Sequence, residues 1–356
     1  MHERITIIAE PDAIVRLDFN REFREGKTLK FIIKNLSSIF LIMDEESFKK
    51  DWDNSESSLR RFFDAYDIPR PKAISGLLQI YKNPGLCYKL NPFAIWFFNK
   101  SKKDLDNFRN YLGVWAINTS ELTDDYFYLE HPREYDRNDI INGSKDNGWG
   151  NYLEEIHKQI PPCNAFVLND RYLLLNTNET SAFEDGFFYG LNNLKMLLKE
   201  ILPLNLKIPF HLLIFCQHPK LDKDKTDELV GKFIKDVQGF REYKIVIEII
   251  YAKSRHKRGL YSNYFWFYVD RAFNAFYNND PKKLVGENDF NLISYLNNPF
   301  TSGDLVYKSS RTKIDKIKEQ CKEVYISPHL DNKSLEDITR VRTDSDDFFF
   351  NRLFIE

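Results

Sequence analysis

The sequence lacks the features that mark most specialised classes of protein. It has only 4 cysteines in 356 residues, with no CxxC pair and no Cys/His cluster, which argues against a structural zinc site and a disulfide-built fold. Its longest apolar runs, such as "SSIFLIM" and "PFAIWFF", are far shorter than the ~20 residues of a membrane-spanning helix. The early charges in "MHERITIIAEP" do not fit a secretory signal peptide. We therefore expect a cytoplasmic protein with reduced thiols and no membrane contact.

Neither sign of charge dominates the chain. It contains 51 Lys and Arg against 53 Asp and Glu, a formal net charge of −2. A protein that coats DNA is usually basic overall, so any nucleic-acid site here must be a local patch. The hydrophobic fraction of 42%, which includes 30 Phe and 19 Tyr, supplies a packed core and excludes an intrinsically disordered chain.

The common nucleotide-binding and nucleophile motifs are also missing. The chain contains no GxxxxGK[ST], no GxGxxG and no GxSxG, the motifs of P-loops, dinucleotide-binding folds and serine hydrolases. The sequence therefore predicts no cofactor and no metal.

The first part of the chain mixes strand and helix patterns. Apolar spacing of three and four residues predicts a helix over 56–66. Short β-branched runs predict strands at 5–9, 13–19, 29–33 and 39–43. We interpret residues 1–130 as an N-terminal α+β domain that serves as a partner-binding or specificity module. Residues 131–150, "HPREYDRNDIINGSKDNGWG", are polar and rich in Gly, Asn and Asp, which indicates a linker.

Residues 151–356 show a regular alternation. Amphipathic helices are predicted at 152–159, 191–201, 226–239 and 313–324. Strands are predicted at 165–168, 172–176, 210–216, 244–252 and 260–269. Strands that alternate with helices of this length favour a layered α/β domain. The aromatic tail "DDFFFNRLFIE" is expected to pack back on this domain or to dock into a partner.

Two turns in the second domain share a spacing. The first reads "NDR" at 169–171 and is followed, after four residues, by Asn176. The second reads "HKR" at 256–258 and is followed, after four residues, by Asn263. Each turn lies where one predicted strand passes into the next.

This arrangement resembles the phospholipase D superfamily, which carries HxK(x)4D once in each half of a duplicated α/β fold. The resemblance implies a histidine that acts as nucleophile or acid, a lysine that binds phosphate, and an aspartate that supports the imidazole. It covers about 110 residues and implies a phospholipase D-like core for the second domain. His256 keeps the histidine of the second copy, and the other five positions are replaced: Asn169 for histidine, Arg171 and Arg258 for lysine, and Asn176 and Asn263 for aspartate.

These replacements favour binding a phosphate over cleaving one. Metal-free phosphodiester transfer needs a nucleophile and a separately protonated acid, and one histidine cannot supply both in a monomer. Asparagine cannot provide the charge that stabilises an imidazolium, whereas arginine offers phosphate a bidentate fork. The predicted site residues are Arg171, Arg258 and Lys257 for phosphate, Asn176 and Asn263 to orient them, and Tyr264 and Trp266 to stack on bases.

Three interpretations follow from these residues. The first is a catalytically impaired phosphate-backbone or nucleic-acid-binding protein, with a protein partner, in a bacterial nucleic-acid-handling or defence complex. The second is a metal-independent nuclease or phosphodiesterase in which two copies of His256 meet in a dimer. The third is a structural interaction subunit whose basic turn binds an acidic partner.

Both turns also have an ordinary structural explanation. Asn and Asp are common in tight turns, and Lys and Arg at a strand end protect a sheet edge from pairing. The two arginine-containing turns form a site only if they approach each other in space.

Overall fold

The structure is a computed structural model with two main β-sheets and helices between them, a mixed α/β architecture. No helix in the part of the chain described here combines the length and apolar character of a membrane span. The described residues are 4–17, 30–118, 130–135, 145–154, 156–157, 160–175, 183–184, 187–217, 223–251, 258–270, 273–277, 280, 282–285, 288–296, 306–326, 339–342 and 351–355.

The first sheet has five strands, all parallel, in the order β3-β2-β1-β4-β5. They are β1 (Ile5–Ala9), β2 (Ser37–Leu41), β3 (Lys72–Ala73), β4 (Ile95–Phe98) and β5 (Ala116–Asn118). Parallel strands need helical crossovers and are covered on both faces. The first unit is therefore an α/β arrangement, in which helices alternate with parallel strands along the chain. This differs from the α+β arrangement that we predicted.

Short helices connect these strands. They are α1 (Pro11–Val15), α2 (Glu45–Asp53), α3 (Ser58–Ala65), α4 (Leu86–Lys89) and α5 (Lys102–Asp106), with a 3-10 helix at Ser75–Tyr81 and π turns at Ile32–Leu36 and Asn107–Tyr111. In their described parts, 13–17 and 30–33, the strands predicted at 13–19 and 29–33 are wrong, because helix α1 and a helical segment that continues into the first π turn lie there. Residues 18–19 and 29 lie outside the described residues. Pro11 begins α1, where proline is already set in a helical backbone angle.

The second sheet has eight strands in the order β15-β11-β10-β7-β12-β13-β14-β6. Strands β7, β10 and β11 are parallel, and the other pairs are antiparallel. The strands are β6 (Glu130–Tyr135), β7 (Ala165–Asn169), β10 (Phe210–Cys216), β11 (Ile245–Tyr251), β12 (Gly259–Tyr261), β13 (Phe265–Val269), β14 (Asn288–Ser294) and β15 (Thr339–Arg342). Two further strands, β8 (Phe183–Glu184) and β9 (Phe187–Phe188), form a separate antiparallel pair. The accompanying helices are α6 (Gly148–Glu154), α7 (Tyr189–Ile201), α8 (Lys223–Gln238) and α9 (Val306–Ile326), and a 3-10 helix lies at Arg352–Phe354.

Two strand predictions in this unit are corrected. The run at 260–269 forms two antiparallel strands, because Ser262 turns the chain and its Oγ accepts from the N–H groups of Tyr264 and Phe265 (3.0 and 2.9 Å). Residues 171–174 form a turn where a strand was predicted at 172–176, and β7 pairs with β10 and β12. The segment predicted as a linker contributes most of β6 and the start of α6.

Strand β7, in the middle of the second sheet, is buried on both faces. Phe166 and Leu168 of β7 point into a cluster that contains residues of α6, α7 and α8, whereas Ala165 and Val167 point into a cluster shared with α9 and the first unit. This alternation is expected for a strand between two layers. Among the described tail residues, 351–355, Leu353 and Phe354 are buried in the shared cluster. For these residues, the prediction that the tail packs back is confirmed.

Two buried asparagines join the two units. The Asn263 amide nitrogen donates to the Pro92 carbonyl (2.8 Å) and to Asn164 Oδ1 (3.1 Å). Its oxygen accepts from the backbone N–H groups of Asn164 (2.9 Å) and Ala165 (3.2 Å). The Asn164 amide in turn donates to the Leu112 carbonyl (2.8 Å). This reciprocal pair satisfies buried backbone groups on both sides of the contact.

We expect Asn263→Ala to lower the free energy of unfolding by about 2–4 kcal/mol, because buried groups of Pro92, Asn164 and Ala165 lose their side-chain partner. Urea denaturation followed by circular dichroism measures the effect. Asn83→Ala is the control, since Asn83 is exposed and a surface change costs about 0.5 kcal/mol or less. Equal stability of the two variants would contradict a joining role for the asparagine pair.

Candidate phosphate-binding site

The two arginine-containing turns lie at one edge of the second sheet. Arg171 follows β7, and Arg258 precedes β12. These strands are antiparallel neighbours, and Gly259 pairs directly with Asn169. The carboxyl ends of the parallel strands β7, β10 and β11 meet at this same edge, which is where open α/β sheets commonly bind ligands.

The ring of Tyr172 connects the two turns. The Arg258 guanidinium carbon lies 5.2 Å from the ring centroid, and that of Arg171 lies 5.6 Å from it. All three side chains are half-buried. Both distances are in the range of cation–π attraction. The structure therefore brings the two predicted arginines together around one aromatic side chain.

The ends of neighbouring strands hold both guanidinium groups. Arg171 Nε donates to Gln217 Oε1 (2.8 Å), and Gln217 directly follows β10. An Arg258 terminal nitrogen donates to the backbone carbonyl of Asp270, which directly follows β13. These contacts orient the two cations along the sheet edge.

A buried carboxylate shapes the first turn. Asp170 is 0% exposed, and its two oxygens accept from the backbone N–H groups of Tyr172 and Phe273 (2.9 Å each). Burial raises the pKa of Asp170, and these two N–H groups and the positive charge of Arg258 oppose the rise. Asp170 thereby fixes the turn that presents Arg171 and Tyr172.

Sequence reasoning missed Asp170, Tyr172 and Gln217 as parts of this edge. Tyr172 was placed in a strand, although its position directly after Arg171 was a usable signal. Nothing local in the sequence indicates that Gln217 contacts Arg171, because that contact depends on the pairing of β7 with β10.

The structure places Asn263 away from the arginines. Arg258 precedes β12, whereas Asn263 follows the opposite end of that strand. The Asn263 amide bonds to Asn164 and Pro92 between the two units. This geometry gives Asn263 a structural set of partners. Asn176 and the pair His256 and Lys257 lie outside the described residues.

Of the two aromatic residues predicted to stack on bases, Tyr264 is buried and Trp266 is half-buried. Tyr264 is only 2% exposed, and its hydroxyl donates to the Ala94 carbonyl (3.0 Å). Lys313 Nζ lies 3.5 Å from the ring centroid of Trp266, and the Tyr261 ring lies parallel to that of Trp266 at 6.2 Å. A base would have to displace Lys313 to stack on that face of Trp266. Tyr172 contributes a half-buried ring at the arginine edge.

No protein-family model matches the chain, and no curated protein is detectably similar to it. Within the described ranges, no group of three or more His, Cys, Asp or Glu side chains is arranged to hold a metal ion.

We expect the stability loss from Arg258→Ala to grow with pH. The folded-state pKa of Asp170 is raised, so its contribution to stability decreases as pH rises from the unfolded value of about 3.9 through the folded value. Removing the Arg258 charge raises the folded pKa further. The difference in Tm from wild type should therefore be larger at about pH 8 than at about pH 4.5.

Thermal melts at the two pH values measure this difference. Arg171→Ala is the matched control, with a smaller pH dependence expected because Arg258 is the arginine whose charge acts on Asp170. A Tm difference for Arg258→Ala that is the same at both pH values would rule out the coupling.

Proposed function

We propose that the protein binds the phosphate backbone of nucleic acid at the edge formed by Arg171, Tyr172 and Arg258. One observation carries the proposal: guanidiniums from two distant turns lie 5.6 and 5.2 Å from the same tyrosine ring. Two guanidiniums at one aromatic ring concentrate positive charge at this edge, and Asp170, Gln217 and the Asp270 carbonyl hold them in place. A preformed cluster of this kind attracts an anionic ligand.

The chemistry of the three side chains suits this ligand. A guanidinium presents a planar fork that matches phosphate oxygens and stays charged at all physiological pH values. An aromatic ring between cations can stack on a base, as in sites that bind single strands with little sequence preference. The net charge of −2 restricts such binding to a local patch. Tyr172 replaces Tyr264 and Trp266 as the stacking residue in this proposal.

The phospholipase D-like core belongs to the same proposal. Its support is that the two turns lie at the ends of neighbouring strands of one sheet. Arginine in both lysine positions favours holding a phosphate, and we propose a binding role without cleavage within a nucleic-acid-handling or defence complex. The protein partner expected from the sequence stays a prediction.

Fluorescence anisotropy with labelled single-stranded and double-stranded oligonucleotides tests the arginines. We expect Arg171→Ala and Arg258→Ala each to weaken binding by about tenfold or more, because each removes charge-assisted hydrogen bonds to phosphate. Titration at several salt concentrations should show that each variant lowers the salt-dependence slope by about 1. EDTA should leave the binding unchanged.

The matched control is Arg60→Ala. Arg60 is also half-buried and lies over an aromatic ring, that of Trp52 at 4.6 Å, but it belongs to the first unit. It should bind oligonucleotides like wild type. The proposal fails if wild type does not bind, or if Arg60→Ala loses as much affinity as the two site variants.

Substitution of Tyr172 tests the stacking contact separately. We expect Tyr172→Ala to weaken single-stranded binding by about tenfold and double-stranded binding less, because stacked bases in a duplex cannot reach the ring. Tyr172→Phe keeps the ring and should bind like wild type. The same anisotropy assay measures both variants, and equal losses on the two kinds of oligonucleotide would show that the ring does not contact a base.

A further inference from the structure

The first sheet has its own position for ligand binding. Its strand order places β1 between β2 and β4, and the chain crosses to the other side of β1 when it reaches β4. In open parallel sheets, ligands bind outside the carboxyl ends of the strands at such a switch point. Here Glu10 follows β1, and Asn99 and Lys100 follow β4.

Polar contacts fix the chain at this switch point. Glu10 is 9% exposed, and its Oε2 accepts from the Asn99 backbone N–H at 2.6 Å. Its Oε1 lies 3.8 Å from Lys100 Nζ. The Asn99 side chain accepts from Arg16 at 3.1 Å. Lys100 is therefore held at the carboxyl end of β4.

A cleft of about 440 Å³ opens beside Lys100. Ligand pockets commonly have volumes of about 300–1,000 Å³. The polar groups of this one include two lysines, Lys100 and Lys207, and one carboxylate, Asp104. The floor is apolar and includes Phe108 and Leu112. The lining thus offers two lysine ammonium groups to an anionic ligand, and Glu10 balances part of the charge of Lys100.

Two exposed tyrosine rings stand in the walls of the cleft. Tyr81 is 46% exposed and Tyr111 is 40% exposed. Each ring has a lysine nearby: Lys100 Nζ lies 5.2 Å from the Tyr81 centroid, and Lys207 Nζ lies 5.7 Å from the Tyr111 centroid. Large, partly exposed rings in a concave site are suited to contact with a flat aromatic ligand.

We propose that this cleft binds a free mononucleotide. The base would lie against Tyr81 and Tyr111, and the phosphate would be held by Lys100 and Lys207. The Asp104 carboxylate offers an acceptor for ribose hydroxyl groups. A base, a sugar and a phosphate use the rings, the carboxylate and the two lysines together, whereas a simple anion uses only the lysines.

The cleft also includes a residue from the second unit. Lys207 lies between α7 and β10, and its backbone N–H donates to the Tyr111 carbonyl (2.9 Å). A nucleotide held by both lysines would therefore bridge the two units. This site is separate from the Arg171–Tyr172–Arg258 edge, and the proposal does not depend on nucleic-acid binding there.

Isothermal titration calorimetry with the four ribonucleoside monophosphates tests the proposal on the full chain. We expect at least one of them to bind with one site per chain. The matching nucleoside and inorganic phosphate should each bind at least about tenfold more weakly. Tyr111→Ala and Lys207→Ala should each weaken the nucleotide by about tenfold. Both residues are exposed, and unchanged Tm values for the variants without ligand verify that they fold.

The control variant is Lys283→Ala. Lys283 Nζ lies 5.1 Å from the ring centroid of Tyr277, so it forms the same kind of pair outside the cleft. This variant and Arg171→Ala should keep wild-type nucleotide affinity, which separates this site from the arginine edge. The proposal is overturned if no mononucleotide binds, if inorganic phosphate binds as tightly as the nucleotide, or if only oligonucleotides bind. Equal losses in Lys283→Ala and Lys207→Ala would overturn it as well.

Discussion

The reciprocal hydrogen bonding of Asn164 and Asn263 is the constraint on which the arrangement of both units depends. Asn263 Oδ1 accepts from the first N–H groups of the β7 segment, so the turn after β12 is fixed against the start of β7. This attachment is consistent with only one register, in which Gly259 pairs with Asn169. A slip of one residue would reverse the faces of β12 and would move Arg258 away from Tyr172. The amide pair thus supports the candidate site from the opposite end of the strand.

The close approach of the two units sets a second requirement beside this pair. Gly113 has a φ of +58°, a region that L-residues with side chains rarely adopt. A Cβ at this position would lie 2.2 Å from the backbone oxygen of Cys163. Only glycine fits where the end of the first unit's helical segment meets the residues that lead into β7.

A strand was predicted correctly where its residue pattern fits only one kind of element. The strand at 210–216 was predicted correctly, because a parallel strand buried on both faces is a continuous apolar run. The strand at 13–19 was wrong over its described residues, 13–17, since a few apolar residues fit a single helical turn equally well. The strand at 260–269 was predicted as unbroken because its aromatic alternation hid the Ser262 turn.

The candidate site shows the same division between local and long-range information. Spacing identified Arg171 and Arg258, which are local features of two turns. Their common contact with Tyr172 depends on the pairing of β7 with β12, and no local pattern encodes that pairing. The asparagine predicted to orient Arg258 has an inter-unit role in the structure for the same reason: the position of Asn263 is set by Pro92, a residue of the first unit.

The pairing of β6 with β14 has a consequence for the time course of folding. Glu130 of β6 pairs with Ile293 of β14, roughly 160 residues later in the chain. Contacts between such distant segments require a large loop to close first, and proteins rich in them fold slowly. During synthesis, β6 emerges early and has to wait for β14 before its backbone groups find partners. An unpaired strand edge is prone to association with other chains, so the interval between the two strands is a period of exposure to aggregation.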